Sequence, residues 1–393
     1  MPTLKMLCLL LAAPACLAAE PVEIAPDVAP AMRTLFETSH AQARRALAAM
    51  LPGLPLDAGR LRVRSTAAPT LEHGKDADGA MVLMLPPAPT PDAVPVVRAL
   101  IAHATVHQAQ GFAHKGSLGY YDWVVAREGG AEFLHMALQA RLGWATAASL
   151  RDEMEAALNH CLSDMQDMSL GSFGQHGGGV RAYRCGLAVH LLALAALDEQ
   201  GQDHARLLQR LRDHYRGDAQ GDAAGFAHAI ECGGEDARRD CTPRWLPRVF
   251  GEESLESVLL DMGGRRGSLL GVEPAWGPRL TARFALRHLA QLMRADCAGR
   301  VGIFEEPGAL QIAPVRGCTV FREGMVVVAA EGRSLFASGG EALKTSLQAC
   351  RQRGATVLGL RDGTRIEVKC NEEVALPARV FGVDPVRALG LAG

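Results

Sequence analysis

Apolar residues across positions 29–50 recur at helical spacing. Met32, Leu35, Phe36, Ala43 and Leu47 share one face, and the run ends in the turn-like segment LPGLP. Two short extended runs follow, Leu61–Ser65 and 80–85, the second set between ADG and PPAPTP, and both are predicted as sheet strands. Thr90 or Asp92 can cap the next helix, which opens on a Pro-containing turn, continues through VVRALIAHATVHQAQ and stops at Gly111. The glycine-rich stretch GFAHKGSLGYYD then leads to a second helix over about 123–142. Helical periodicity returns near 147–168, 180–199, 202–215 and 279–295. Beyond Cys297 the pattern changes to short β-like runs at 325–330, 356–360 and 365–369, with a helix over about 341–353. The last two strands flank RDGT, whose Asp362-Gly363 is a good hairpin turn. The pattern predicts an α+β protein: a small N-terminal sheet, a helical middle and a small C-terminal α+β domain.

The first 19 residues, MPTLKMLCLLLAAPACLAA, place Lys5 before an apolar run and then small residues. This is the three-part layout of a secretory signal peptide, with cleavage expected after Ala18 or Ala19. A buried N-terminal helix is the plainer alternative, since the run is too short to span a bilayer. Lipid anchoring through Cys16 is a further alternative, although no larger aliphatic residue stands just upstream. About 374 remaining residues exceed what one core usually organises. The expected division is 1–19 signal peptide, 20–92 N-terminal helix and sheet, 93–296 helical part, and 297–393 C-terminal α+β domain.

Cleavage leaves cysteines 161, 185, 232, 241, 297, 318, 350 and 370, an even set that in an exported chain suggests disulfides. Cysteines in that number permit about 105 connectivities. Cys232 and Cys241 bracket the polar loop CGGEDARRDC and are expected to pair locally. With 41 basic against 43 acidic residues, the overall charge provides no basis for nucleic acid binding. Only five basic residues are lysine, which together with abundant Ala, Gly and Arg suggests a GC-rich bacterial genome and a periplasmic or secreted address. The most apolar internal stretch, GLAVHLLALAAL, suits a buried helix and is too short for a transmembrane span.

The candidate chemistry lies on the helix carrying IAHATVHQ. His103 and His107 are four apart, so both imidazoles project from one face, one turn apart, close enough to ligate one metal ion. By itself the pair is a weak signal, because 13 histidines in 393 residues give about 0.4 such pairs by chance. The second helix strengthens it: WVVAREGGAEF places Glu128 where the chain can fold back as a third ligand. Glu132, one turn further on the same face, can accept a hydrogen bond from a ligating histidine and fix its tautomer.

At these residues the chain resembles the gluzincin metallopeptidases, in which HExxH on one helix is followed by a glutamate on the next, commonly within EGxAE. The resemblance covers about 35 residues closely and, by order of elements, 60–200 loosely. It implies a zincin-like fold, zinc held by His103, His107 and Glu128, and Glu132 as the supporting carboxylate. Tyr183 in YRCG is similar to a tyrosine that steadies the tetrahedral intermediate in some members; an ordinary half-buried aromatic is the plainer interpretation. The chain departs from the pattern at Ala104, where those enzymes carry the general base. A positioned acid/base contributes typically about 10²–10⁴ in rate. Glu132 and His114 are the nearest candidates to substitute for it. HGGG at 176–179 matches an esterase oxyanion loop, but the chain has no GxSxG elbow.

The sequence therefore favours an exported pseudopeptidase that binds zinc and a peptide or protein ligand without efficient hydrolysis. An active zinc metallopeptidase with a non-standard base, and a metal-free structural or interaction protein whose two histidines are simply buried, are the alternatives.

Overall fold

The computed structural model describes residues 22–391 except 57–58, 67–69, 73–79, 111–119, 166–167, 174–179, 217–222, 234–240, 264–268, 274–275, 298–301, 307, 314, 338, 371–375 and 377–378. The expected signal segment 1–19, Cys16, His114 and the HGGG segment lie outside the described residues. Pro30 sits in the first turn of α1 (Pro30–Met50), where its missing N–H costs nothing. The α1 face carrying Met32, Phe36, Ala43 and Leu47 is buried. Around it, β1 (Val22–Ile24), β2 (Leu61–Ser65), β3 (Thr70–Glu72) and β4 (Met81–Leu85) form a sheet in the order β1-β2-β4-β3. β1 and β4 run parallel to β2, and β3 is antiparallel to β4. β4 is the apolar run MVLML, buried at four of its five positions, as suits an interior strand.

The helices α2 (Ala93–Gln110) and α3 (Tyr120–Leu142) follow, joined to a helical body of α4 (Ala147–Met165), α5 (Leu170–Phe173), α6 (Val180–Glu199), α7 (His204–Arg216), α8 (Ala223–Glu231), α9 (Leu246–Phe250) and α10 (Leu255–Gly263). Their apolar faces merge into one large cluster that includes Phe133, Leu158, Leu191, Leu211, Phe226 and Leu259. Where α3 crosses α6 there is no room for a side chain. A Cβ on Gly129 would stand 2.2 Å from the backbone carbon of Gly186.

β5 (Leu270–Glu273) and α11 (Pro278–Asp296) lead into a sheet containing β6 (Ile303–Glu306), β7 (Ala309–Ile312), β8 (Val326–Ala330), β9 (Arg333–Ser334), β10 (Ala355–Leu360) and β11 (Arg365–Lys369). Its pairings are all antiparallel, in the order β11-β10-β8-β7-β6 with β9 beside β8. α12 (Glu341–Arg353) and α11 pack on it over Phe284, Leu289, Leu343 and Leu358. Alternating burial along β10 gives one covered and one open face. The predicted hairpin joins β10 to β11, with Gly363 at φ 86° and the Asp362 carboxylate accepting from the Thr364 N–H.

The chain then returns to the helical body. β12 (Val380–Val383) pairs antiparallel with β5, and α13 (Pro385–Leu389) adds Ala388 and Leu389 to the helical cluster. The other edge of β12 is satisfied by a side chain: Asn159 on α4 donates to the Phe381 carbonyl at 2.8 Å and accepts its N–H at 2.9 Å. An amide here does the work of a neighbouring strand, meeting the demand that buried backbone groups be paired.

Four cysteine pairs stand at disulfide distance: Cys161–Cys185 between α4 and α6, Cys232–Cys241, Cys297–Cys318 and Cys350–Cys370. Each closes a loop of 9 to 24 residues. Crosslinks over loops near 15 residues stabilise by about 3 kcal/mol. Among the described residues, no helix is long and apolar enough to cross a membrane. Helix and sheet are segregated along the chain, an α+β arrangement.

Candidate metal centre

From Ile101 to Ala109 every residue of α2 is buried, so the helix has no solvent face and each side answers to a different neighbour. Val97, Ile101 and Ala104 join the sheet cluster with Phe36, Met81 and Leu83. Ala102, Val106 and Ala109 join the helical cluster. His103, His107 and Gln110, at i, i+4 and i+7, share the remaining side and meet α3, whose Glu128, Glu132 and His135 repeat the same spacing.

The ligand atoms of His103, His107 and Glu128 lie within 4.8 Å of one another, and all three residues are buried. His107 Nε2 is 2.9 Å from His103 Nε2 and 3.0 Å from Glu128 Oε2, and His103 Nε2 is 3.5 Å from the same oxygen. The other nitrogen of each ring is engaged from behind. His103 Nδ1 is 3.1 Å from Glu132 Oε1, and His107 Nδ1 is 2.8 Å from the side-chain oxygen of Gln110. Carboxylate and amide oxygens only accept, so they favour a proton on each Nδ1 and leave both Nε2 atoms with lone pairs directed inward. Two lone pairs and a carboxylate then converge on one buried point, an arrangement that repels itself unless a cation lies between them.

A proton or a metal ion can meet that need. Burial works against charging His103, but the hydrogen bonds and charges of Glu128 and Glu132 outweigh it and raise its pKa to about 9. Burial acts to raise the Glu132 pKa, but the charge of His135 together with the hydrogen bond and charge of His103 outweigh it and hold the carboxyl down to about 2. The donor set also fits zinc. Two histidines and a glutamate are a recurring catalytic zinc set, and ligands about 2.0–2.1 Å from a tetrahedral ion stand about 3.4 Å apart. The observed separations of 2.9, 3.0 and 3.5 Å bracket that spacing closely.

The ring of Tyr183, on α6, lies 5.9 Å from that of His103, so the structure brings this residue beside the cluster. Ala104, fully buried in the sheet cluster, places no carboxylate there. Trp123 falls within α3, but its side chain is outside the described residues.

Three neighbours escaped the sequence reading. His135 faces the far oxygen of Glu132 at 3.7 Å, and its own pKa is lowered, chiefly by burial. Its i+3 spacing from Glu132 was the available signal. Gln110 was detectable as the residue one turn beyond His107. Tyr215 approaches from α7, and nothing in its local sequence announces that contact. A further grouping of Asp296, Cys297 and Cys318 has no free thiolates to offer, because the two cysteines are paired.

No family model matches the chain, and no curated protein matches it. Among solved structures, the chain is similar to an aminopeptidase N family protein from Idiomarina loihiensis, with a TM-score of 0.46 and 12% identity over 95% of this chain and 68% of that one.

Proposed function

We propose that the protein is an exported, zinc-binding, gluzincin-like pseudopeptidase that holds a peptide or protein ligand without cutting it efficiently. The observation that carries this proposal is the convergence of His103 Nε2, His107 Nε2 and Glu128 Oε2 on one buried point, beside a helix whose position 104 offers no base. Zinc, when bound, supplies a Lewis acid for a carbonyl oxygen and lowers the pKa of coordinated water. The protein's own contribution is positioning: Glu132 orients His103, Gln110 orients His107, and the Tyr183 ring stands against His103. Proton transfer is the missing element. Glu132 is committed to His103 and flanked by His135, so it is poorly placed to serve a leaving amine. The loss of a positioned acid/base is expected to cost about 10²–10⁴ in rate. Export is supported by the N-terminal pattern together with the four cysteine pairs.

The test is metal analysis and general peptidase assays on purified protein beside His103→Ala. One bound zinc per chain, lost in the variant, with negligible peptide cleavage is the expected result. Rapid zinc-dependent cleavage by the wild type would make it an active hydrolase with a non-standard base. No zinc in the wild type, and no change in the variant, would make it a metal-free structural or interaction protein.

A further inference from the structure

Behind the metal-facing side of His107 lies a second layer that reaches a helix outside the HxxxH and EGxAE pair. The Gln110 side-chain oxygen meets His107 Nδ1 at 2.8 Å. The same amide donates its Nε2–H groups in two directions, to the Arg127 carbonyl at 3.1 Å and to the Tyr215 hydroxyl at 3.0 Å. Arg127 directly precedes Glu128 on α3, and Tyr215 belongs to α7. One amide thus joins the second histidine, the backbone beside the third candidate ligand and a distant helix.

Space for this junction is built into the chain. A Cβ on Gly130 would fall 2.1 Å from the Tyr215 hydroxyl and 3.3 Å from Gln110 Nε2, so only glycine there lets the two groups meet. His190 Nε2 would lie 3.2 Å from the same Cβ. Its Nδ1 is engaged with the Gly186 carbonyl at 2.8 Å, which leaves Nε2 an acceptor with no hydrogen-bond partner among the described residues. The direction of the amide matters physically. Turned over, Gln110 would set its oxygen against the Arg127 carbonyl, which can only accept, so that carbonyl holds the acceptor toward the ring while the Tyr215 hydroxyl takes the amide's other N–H.

We propose that Gln110, oriented by the Arg127 carbonyl and seated against Tyr215 of α7, is a positioning residue that fixes His107 in the tautomer presenting Nε2 to the metal. This rests on the metal-binding reading above and extends it, because it makes α7 part of the site. Outer hydrogen-bond partners of ligating histidines typically set about 10–100-fold in metal affinity.

The experiment measures zinc affinity by competition with a chromophoric chelator, and the visible spectrum of the cobalt-loaded protein, for wild type, Gln110→Ala, Gln110→Glu and Tyr215→Phe. Melting in chelator is followed alongside. Gln110→Ala is expected to bind zinc about 10–100-fold more weakly and to shift the cobalt bands. Gln110→Glu keeps an acceptor at His107 but sets its second oxygen against the Arg127 carbonyl, and is expected to bind zinc more tightly than Gln110→Ala while staying weaker than wild type. Tyr215→Phe is expected to lose affinity by a smaller factor, about threefold or more. A purely structural role would instead lower the metal-free melting temperature and leave affinity and spectrum alone, and that result overturns the proposal. Should Gln110→Ala fail to fold, wild-type affinity and spectrum in Tyr215→Phe overturn it as well. A wild type that binds no zinc fails the metal reading itself, and is distinguished before any variant is compared.

Discussion

His103 and His288 are both helix histidines buried to within a few per cent, yet their surroundings close in opposite ways. In the C-terminal body, His288 Nε2 meets Ser346 Oγ at 2.8 Å, Ser346 meets Thr356 at 2.7 Å, and Thr356 donates to Glu331 at 3.1 Å. The protons pass one way along this chain and end on a carboxylate that also accepts from the Val357 N–H and from Arg353. Burial pushes the His288 pKa down to about 4, so the ring stays neutral. Around His103 the polar groups run toward one another instead, acceptor against acceptor, with Glu132 and Gln110 fixing the outer nitrogens. A relay that terminates internally stabilises a fold. Acceptors that converge on one buried point call for a proton or a metal ion between them.

Three measurements can break or sharpen that contrast. The largest effect is expected from zinc itself. At a thousandfold excess over its dissociation constant, zinc should raise the wild-type unfolding free energy by about 4.1 kcal/mol. Glu128→Ala should abolish the increment, as read by urea unfolding with zinc and with chelator. Next comes Ala104→Glu, which forces a carboxyl group into the sheet cluster beside Phe36 and Leu83. A loss of about 3 kcal/mol or more is expected, because an unpaired buried carboxylate is costly. A variant as stable as the wild type would show that position 104 can reach the polar side of α2. The smallest effect is expected from Ser346→Ala, which interrupts the internal relay. It should cost about 1 kcal/mol in urea unfolding while leaving zinc affinity unchanged. A change in zinc affinity there would erase the contrast.

The sequence made the long elements legible because their periods are long. α1, α7 and α12 follow apolar repeats over many residues, α2 is bounded by its capping and stop signals, and β10 and β11 are marked by the Asp362-Gly363 turn. Short pieces carry too few residues for a period to register. The β6–β7 hairpin and the four-residue β12 were not predicted, and β12 depends on Asn159 from a helix more than two hundred residues earlier. The site divides along the same line. His103 and His107 are legible from their spacing, and Glu128 and Glu132 from the likeness of WVVAREGGAEF to a known pattern; the structure brings the four together. Tyr215 was invisible because its contact with Gln110 is made entirely by tertiary packing. Ala104 could be named as a missing base, but its place in the sheet cluster emerged only once the three sides of α2 were assigned.

The close crossing at Gly129 also constrains how the protein can move. With α3 set backbone to backbone against α6, neither helix can roll over the other without collision. Glu128, one residue before that crossing, and Tyr183, one turn before Gly186, therefore ride on a single stiff body. The glutamate and the tyrosine therefore keep their spacing to each other, and one side of the cluster is set by the crossing itself rather than by anything that occupies it.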